Sequence, residues 1–426
     1  MSILFRVLDK IMRWYYWAFS YVSNKRNVMF IPHEHMCMND HYSIMNYRSD
    51  SALTFANYIL SNNLLLDKVI IVGVFPSDDI SVIQKYLRDH FPKRKVVLAN
   101  LFGWRKEQNA FRRYLNRKEL FKMIANSSHV FTSQTPLFRP IAKSNRIKFI
   151  NLGYYVAPIK DSTHDKNNRI YIDYQSITEK DYDYYIVSSE VSKRLIMATY
   201  SIGYNHYKVL GMCRNDYLFS DDFPQTLRED IINSVSYPVK KIVLYTPTHR
   251  DNLAELTQFN ATQNLFGFSS DLVSLNEFFK EQGLLLICKV HPKQHHLIKQ
   301  NELPESIVLF EANNCYGLAE LMKVSDALIT DYTSGYFDYL ILDKPVLFNF
   351  TDISEYGATR GLIFNPIYPI CAGDVVRNEA ELKVALANLE SNRDIYSEKR
   401  KDVLEMFHFY RDSNTCERVY NYFFAG

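Results

Sequence analysis

Three short stretches collect side chains able to hold a pair of linked phosphoryl groups and assist in breaking the bond between them. They are Tyr245-Thr246-Pro247-Thr248-His249-Arg250-Asp251, Lys289-Val290-His291-Pro292-Lys293 and Asp331-Tyr332-Thr333-Ser334-Gly335. Arginine and lysine supply charge-assisted donors, the hydroxyls add neutral hydrogen bonds, and a histidine can hold or pass a proton. Arg360-Gly361, with Asn365 following, offers a further cation from a loop. No one of these stretches is decisive alone, since a His-Pro after a strand is commonly only a turn. Their significance depends on whether the fold brings them together.

Each cluster interrupts or follows an apolar run. In residues 325–348, SDALITDYTSGYFDYLILDKPVLF, the run Ala327-Leu328-Ile329 suits a buried parallel strand, while Tyr336, Phe337, Leu340 and Ile341 recur at helical spacing. The stretch therefore reads as strand, polar turn and helix, the helix starting at the carboxyl end of the strand. Free backbone N–H groups there favour an anion, which makes Thr333, Ser334 and Gly335 a phosphate cradle. The same residues also suit a plain N-cap, with Asp338 as a first-turn acid. Asp331 has two readings as well, a ribose ligand or a brace for the turn.

Apolar runs alternate with helical stretches along the chain. Val28–Ile31, Lys68–Phe75, Lys95–Ala99, His129–Thr132, Lys148–Leu152 and Tyr185–Ser188 read as strands, and Ser51–Ser61 and Gln108–Ile124 as helices. A second series runs through Lys241–Tyr245, Leu284–Val290, Ser306–Phe310, Ala327–Thr330 and Val346–Phe348. Alternation of this kind predicts an α/β protein with two doubly wound, Rossmann-like domains facing a cleft, where ligands bind at the carboxyl ends of the strands. The expected division is an amphipathic helix over 1–26, one domain over 27–215, a second over 216–390, and C-terminal helices over 391–426 that pack back across the junction.

The composition agrees with two ordered domains. A chain of 426 residues that is 47% hydrophobic and 23% charged buries substantial cores and is not disordered. A net charge of +3 gives no sign of a nucleic-acid-binding surface. The cysteines Cys37, Cys213, Cys288, Cys315, Cys371 and Cys416 are scattered without a CxxC pair, as expected of reduced thiols and not of a disulfide framework or zinc site. In MSILFRVLDKIMRWYYWAFSYVSNKR, apolar residues at helical spacing are interspersed with Arg6, Lys10, Arg13, Lys25 and Arg26. These charges are too frequent for a spanning helix and no cleavable signal is evident. The helix suits either the interface of an anionic membrane or the protein's own surface.

The C-terminal half resembles the CDP-glycerol glycerophosphotransferases, which build teichoic acids and related capsule or O-antigen polymers. YTPTHRD resembles the family's Y-x-P-T-x-R-D, KVHP its R/K-x-H-P, the 325–348 stretch its D-x-L-I-T-D-Y-S-S-x-x-F-D-x-x-x-L-D-K-P, and RGLIF its R-G-x-x-F. GMCRND at 211–216 resembles G-x-P-R-N-D, with Cys213 in place of the proline. The resemblance implies a GT-B-like fold and transfer of a phosphoalditol from a CDP-alditol donor to a hydroxyl of a membrane-linked glycan or polymer acceptor. It implies no cofactor and no metal, and a location at the cytoplasmic face of the membrane as a peripheral protein. On this basis His291 matches the histidine held to be catalytic, Thr333 and Ser334 match diphosphate-binding hydroxyls, and Arg250 and Arg360 match basic positions near the donor. Arg214, Asn215, Thr246, Thr248, Lys289, Asp331, Gly335 and Asp338 complete the expected donor side. Asp251 and Asp216 are expected to orient Arg250 and Arg214.

The N-terminal half departs from the family pattern. Where members carry W-H-G-x-P, with a histidine thought to act as general base, this chain has Asn151-Leu152-Gly153-Tyr154-Tyr155-Val156-Ala157-Pro158-Ile159-Lys160. Tyr154 takes roughly that place, and an ordinary tyrosine pKa of about 10 makes it a weak base near neutrality. Another residue takes over, or no strong base is needed, or this half recognises a different acceptor. His33 and His35, after the first strand, and Lys160 are the acceptor-side candidates; His-x-His also suits a metal, but no third and fourth ligands are evident. The rivals are a nucleotide-sugar glycosyltransferase of the same fold and a catalytically silent binding protein of the polymer-assembly machinery.

Overall fold

The computed structural model describes the chain apart from residues 1–2, 33–43, 75–79, 101–109, 134–143, 154–155, 160–180, 199–201, 249–264, 269, 291–296, 311–315, 360, 390–393 and 426. It divides into two compact units. The first comprises residues 1–154, 173–216 and 412–426, and the second residues 155–172 and 217–411.

The first unit is built on seven strands: β1 (Asn27–Ile31), β2 (Val69–Val74), β3 (Val96–Asn100), β4 (Ser127–Thr132), β5 (Lys148–Asn151), β6 (Tyr184–Val187) and β7 (Tyr207–Val209). All pair in parallel, in the order β3-β2-β1-β4-β5-β6-β7. Chain order runs outward from β1 in one direction and from β4 in the other, so the reversal falls between these two strands. Residues 28–31 of β1 are buried, as a strand covered on both faces requires. On one face Phe30, Phe55 and Phe131 interlock at centroid separations of 5.0 to 5.8 Å. Phe55 belongs to the helix Ser51–Ser61, which starts where the sequence places it because Asp50 accepts the Leu53 N–H at 3.0 Å.

The second unit carries β8 (Lys241–Thr246), β9 (Leu284–Cys288), β10 (Ile307–Leu309), β11 (Ala327–Thr330), β12 (Val346–Asn349) and β13 (Asp374–Val376). The order is β10-β9-β8-β11-β12-β13, again parallel throughout, with the reversal between β8 and β11. The helix Leu272–Gln282 that leads into β9 is capped by Asp271 at its start, and by Gly283 in the left-handed region, φ +66°, at its end. β7 and β13 are absent from the sequence reading. Like β10, each has three residues at a sheet edge, but β10 lies in the apolar run Ile307-Val308-Leu309-Phe310, whereas Lys208 interrupts β7 and Asp374 opens β13.

The C-terminal stretch is shared between the units. Ser397–Phe407 packs in the second, where the buried Arg400 pairs with Asp343 at 2.9 Å and with Asp394, and Phe407 meets Phe337 at 4.3 Å. Thr415–Tyr420 and the π-helical Asn421–Ala425 pack in the first, with Phe423 against Phe131 at 5.6 Å and Phe424 against His129 at 4.6 Å. The four described cysteines are free and buried.

The first helix, Ile3–Val22, has two apolar faces. Met12, Tyr16 and Phe19 pack on Phe121 and Ala125, while Ile11, Trp14 and Tyr15 are 56, 67 and 55% exposed. No helix among the described residues is long and apolar enough to cross a membrane.

Candidate active site

In a doubly wound sheet, adjacent loops diverge where the strand order reverses, leaving a crevice at the carboxyl ends. In the second unit that position lies between the ends of β8 and β11, the strands that lead into Thr246-Pro247-Thr248 and Asp331-Tyr332-Thr333-Ser334. β9, leading to Lys289, lies on the other side of β8, and the Lys289 N–H donates to the Tyr245 carbonyl at 2.9 Å. Topology thus brings two of the three clusters side by side and sets the start of the third next to them.

The link between the first two is direct. Asp331 accepts the Thr248 N–H at 2.9 and 3.0 Å, the Thr248 hydroxyl at 2.6 Å and the Tyr332 N–H at 2.6 Å. It is 3% exposed. Of its two sequence readings, the structure shows the brace. Thr246 and Thr248 are likewise engaged inside the protein: the Thr246 hydroxyl meets that of Thr330 at 3.3 Å, and the Thr248 hydroxyl serves Asp331.

Thr333, Ser334 and Gly335 are only half-buried. Thr333 Oγ1 accepts the Gly335 N–H at 3.3 Å, and Ser334, at the N-cap position, makes no side-chain capping bond. The helix that follows is short, Gly335–Tyr339, continued by a 3-10 turn over Leu340–Leu342. Five residues give little macrodipole, so the cradle expected at this turn rests on hydroxyls and turn N–H groups more than on a helix field. Asp338 is buried in the first turn. Tyr332 lies between Phe350 and Tyr356, at 5.3 and 3.9 Å, and its hydroxyl donates to Asp352.

The DKP motif is structural. Asp343, in the left-handed region at φ +46°, accepts from Arg400, and Lys344 Nζ donates to the Lys323 and Ser325 carbonyls at 2.7 Å each. Burial holds the Lys344 ammonium down to about 8. A residue the sequence reading passed over is Asn349, at the end of β12. Its amide nitrogen donates to the Phe266 carbonyl at 2.7 Å, and its Oδ1 is buried with no partner among the described residues. A carboxamide closing the apolar run Val346-Leu347-Phe348 was the signal for it.

In the first unit Arg214 is half-buried and Asn215 is 2% exposed. The expectation that Asp216 orients Arg214 is corrected: Asp216 accepts the backbone N–H groups of Thr415 and Cys416 at 2.9 and 2.8 Å. Spatial proximity to the C-terminal segment, invisible in the sequence, decides this. His33, His35, Tyr154, Lys160, Arg250, Asp251, His291 and Arg360 lie outside the described residues. No group of three metal-ligating side chains occurs among the described residues.

Residues 57–425 match the family model of the CDP-glycerol:poly(glycerophosphate) glycerophosphotransferases. The chain belongs to that family. Within this glycerophosphotransferase family it is similar to a teichoic acid ribitol-phosphate primase of Bacillus spizizenii, 24% identical over 56% of this chain and 58% of the primase. It is 29% identical to a teichoic acid glycerol-phosphate primase of Bacillus subtilis over 43% and 44% of the two chains. A teichoic acid poly(glycerol phosphate) polymerase of Staphylococcus epidermidis is 25% identical over 76% of this chain and 45% of the polymerase. The matched stretches thus span little more than half, or less, of these relatives. The wall teichoic acid polymerase TagF has the same fold: TM-score 0.70, 18% identity, covering 98% of this chain and 93% of that one. The two sheets described above are therefore the two Rossmann-like domains of a GT-B fold. A UDP-N-acetylglucosamine 2-epimerase of Listeria monocytogenes shares it at TM-score 0.53 and 14% identity, over 94% and 98% of the two chains, so the fold alone does not select a reaction.

Proposed function

We propose that this glycerophosphotransferase-family chain moves glycerol phosphate, or another alditol phosphate, from a CDP-alditol to a hydroxyl of a membrane-linked glycan or polymer, releasing CMP. The observation that carries this reading is the Asp331–Thr248 bracket at the reversal of the second sheet, which sets the half-buried Thr333, Ser334 and Gly335 beside the β8 loop. Family membership supplies the donor class, and a TagF variant has been soaked with CDPG. Relatives that use glycerol phosphate and ribitol phosphate are both represented by name.

In the proposed step an acceptor oxygen forms a bond to the phosphorus next to the alditol, and the bond to the bridging oxygen breaks. The electron pair leaves with CMP, whose phosphate gains charge that His291 and Arg250 would offset, with Arg360 and Lys289 as further cations. The hydroxyl proton goes to a base on the acceptor side, for which Tyr154, His33 and His35 are the candidates and Lys160 a neighbouring cation. No resident metal or cofactor is needed on this reading, so turnover is expected to survive chelation.

The exposed Ile11, Trp14 and Tyr15 support attachment of the first helix to a membrane interface, which this reading places on the cytoplasmic side. Incubation with CDP-glycerol and a lipid-linked acceptor is expected to release CMP and leave donor phosphorus in the product. His291→Ala is expected to lose turnover and keep the fold. Normal turnover by that variant would remove His291 from the mechanism. A product without donor phosphorus would indicate a glycosyltransferase, and donor binding without CMP release across many acceptors a silent member.

A further inference from the structure

The turn Gly211-Met212-Cys213-Arg214-Asn215-Asp216 is held from one side by residues almost two hundred positions later. Leu210 and Gly211 both donate to the Val187 carbonyl, at 3.2 and 3.1 Å, which ties the start of the turn to the end of β6. Gly211 has φ +102°, and a Cβ built on it would fall 2.6 Å from Thr415 Oγ1, so only glycine admits the C-terminal segment this closely. Asn215 and Asp216 close the turn on the Met212 and Cys213 carbonyls at 2.9 and 3.2 Å.

Asp216 then makes the decisive contact. The helix Thr415–Tyr420 has Asn414 at its N-cap, but that side chain makes no capping bond. Asp216 supplies the cap instead, one carboxylate oxygen taking the Thr415 N–H and the other the Cys416 N–H. Arg418 returns the contact, with Nε donating to the Leu210 carbonyl at 3.0 Å and Nη2 to Thr415 Oγ1 at 3.0 Å. Cys416 Sγ lies 4.0 Å from the Cys213 carbonyl, both residues being buried. Both Asp216 oxygens are thus bound to backbone of the C-terminal segment. Its neighbour Asn215 is different: the amide is buried, and neither its oxygen nor its nitrogen has a hydrogen-bond partner among the described residues.

We propose that Asp216 is a positioning residue for donor binding: by pinning the segment Asp412–Tyr420 it fixes the turn and with it the places of Arg214 and the unpaired Asn215 amide. This rests on the reading of Arg214 and Asn215 as donor-binding residues. Burial holds the Asp216 carboxyl above the ordinary carboxylate range, although its two N–H bonds pull it down.

The test is steady-state kinetics with CDP-glycerol on the full chain. Asp216→Ala, and the milder Asp216→Asn should the first fold poorly, are expected to raise KM roughly tenfold with kcat little changed, because ground-state and transition-state binding are lost together. Arg214→Ala and Asn215→Ala are expected to raise KM too. Adding Asp216→Ala to Arg214→Ala and Asn215→Ala combined is expected to cost little more, since residues acting as one unit are not additive. A structural role alone would lower the active fraction, and so kcat, at unchanged KM; that result overturns the proposal. So does a full additional loss in the combined variant. If the turn variants raise KM and the Asp216 variants do not, only the positioning inference fails. If Arg214→Ala and Asn215→Ala both keep the normal KM, the donor reading of the turn fails and the inference falls with it.

Discussion

Asp331 and Thr248 are joined by three hydrogen bonds across the reversal of the second sheet, two to the Thr248 N–H and one, at 2.6 Å, from its hydroxyl. Removing the carboxylate leaves a buried N–H and a buried hydroxyl without their acceptor. Asp331→Ala is expected to cost about 1 to 3 kcal/mol of stability. Asp331→Asn, which keeps one acceptor, should cost less. Chemical denaturation would check both, and an unchanged midpoint for the alanine variant would show that the bracket contributes nothing.

Gly335 separates fold from ligand. Its φ is not in the left-handed region, and a Cβ there would meet Met322 Cε at 3.5 Å and Thr333 Oγ1 at 3.6 Å, ordinary contacts. Gly335→Ala is therefore expected to melt within a degree or two of the parent, where about 1 kcal/mol would shift a domain of this size by roughly 2–4 °C. If a phosphoryl group approaches this backbone, CDP-glycerol binding measured by calorimetry should nonetheless weaken severalfold. Unchanged affinity would place the phosphates elsewhere.

His129 predicts an acid-labile C-terminal contact. Burial, with Lys148 and Lys68 nearby, holds its imidazole down to about 4, and Phe424 covers it at 4.6 Å. The ordinary value is near 6.5. Between these values the unfolded chain binds more protons than the folded one, so stability rises with pH across the window and falls as pH drops from about 6.5 toward 4. Melting temperatures from pH 7 to pH 4 should fall, and His129→Phe should flatten that slope. An equal slope in the variant would assign the acid lability to other groups.

The first helix offers a surface test. Ile11 and Trp14 are exposed, while the exposed Tyr15 also meets Tyr16 and Phe19 at 5.0 and 6.3 Å, so replacing Ile11 and Trp14 by serine should leave the packing on Phe121 intact. Co-sedimentation with anionic phospholipid vesicles is expected to drop severalfold, since each buried aromatic or aliphatic side chain contributes on the order of 1.5 to 3 kcal/mol. Equal sedimentation of the parent and variant would leave this face without a role at a membrane.

Much of the architecture was legible because parallel strands buried on both faces leave continuous apolar runs. Val28–Ile31, Lys241–Tyr245 and Ala327–Thr330 stand out in the sequence and are strands in the fold. β7 and β13 left no such trace, because Lys208 interrupts one and Asp374 opens the other, whereas the equally short β10 sits in the unbroken apolar run Ile307–Phe310. The motif residues were legible as types, a carboxylate, two hydroxyls and a glycine, but their partners were not. Asp331 was open between ribose and turn, and its bonds to Thr248, 83 residues earlier, were not legible in either reading. Adjacency in sequence pairs Asp216 with Arg214, whereas the fold returns Thr415 and Cys416 to it from 199 and 200 residues away.

By itself, then, the sequence determined the alternation of strands and helices, the polar clusters at strand ends and the family motifs, because local propensity and burial pattern are written residue by residue. The tertiary structure decided which polar side chains act as braces and which face outward. That depends on the order in which strands assemble and on where the C-terminus docks, long-range contacts whose partners no local stretch of sequence contains.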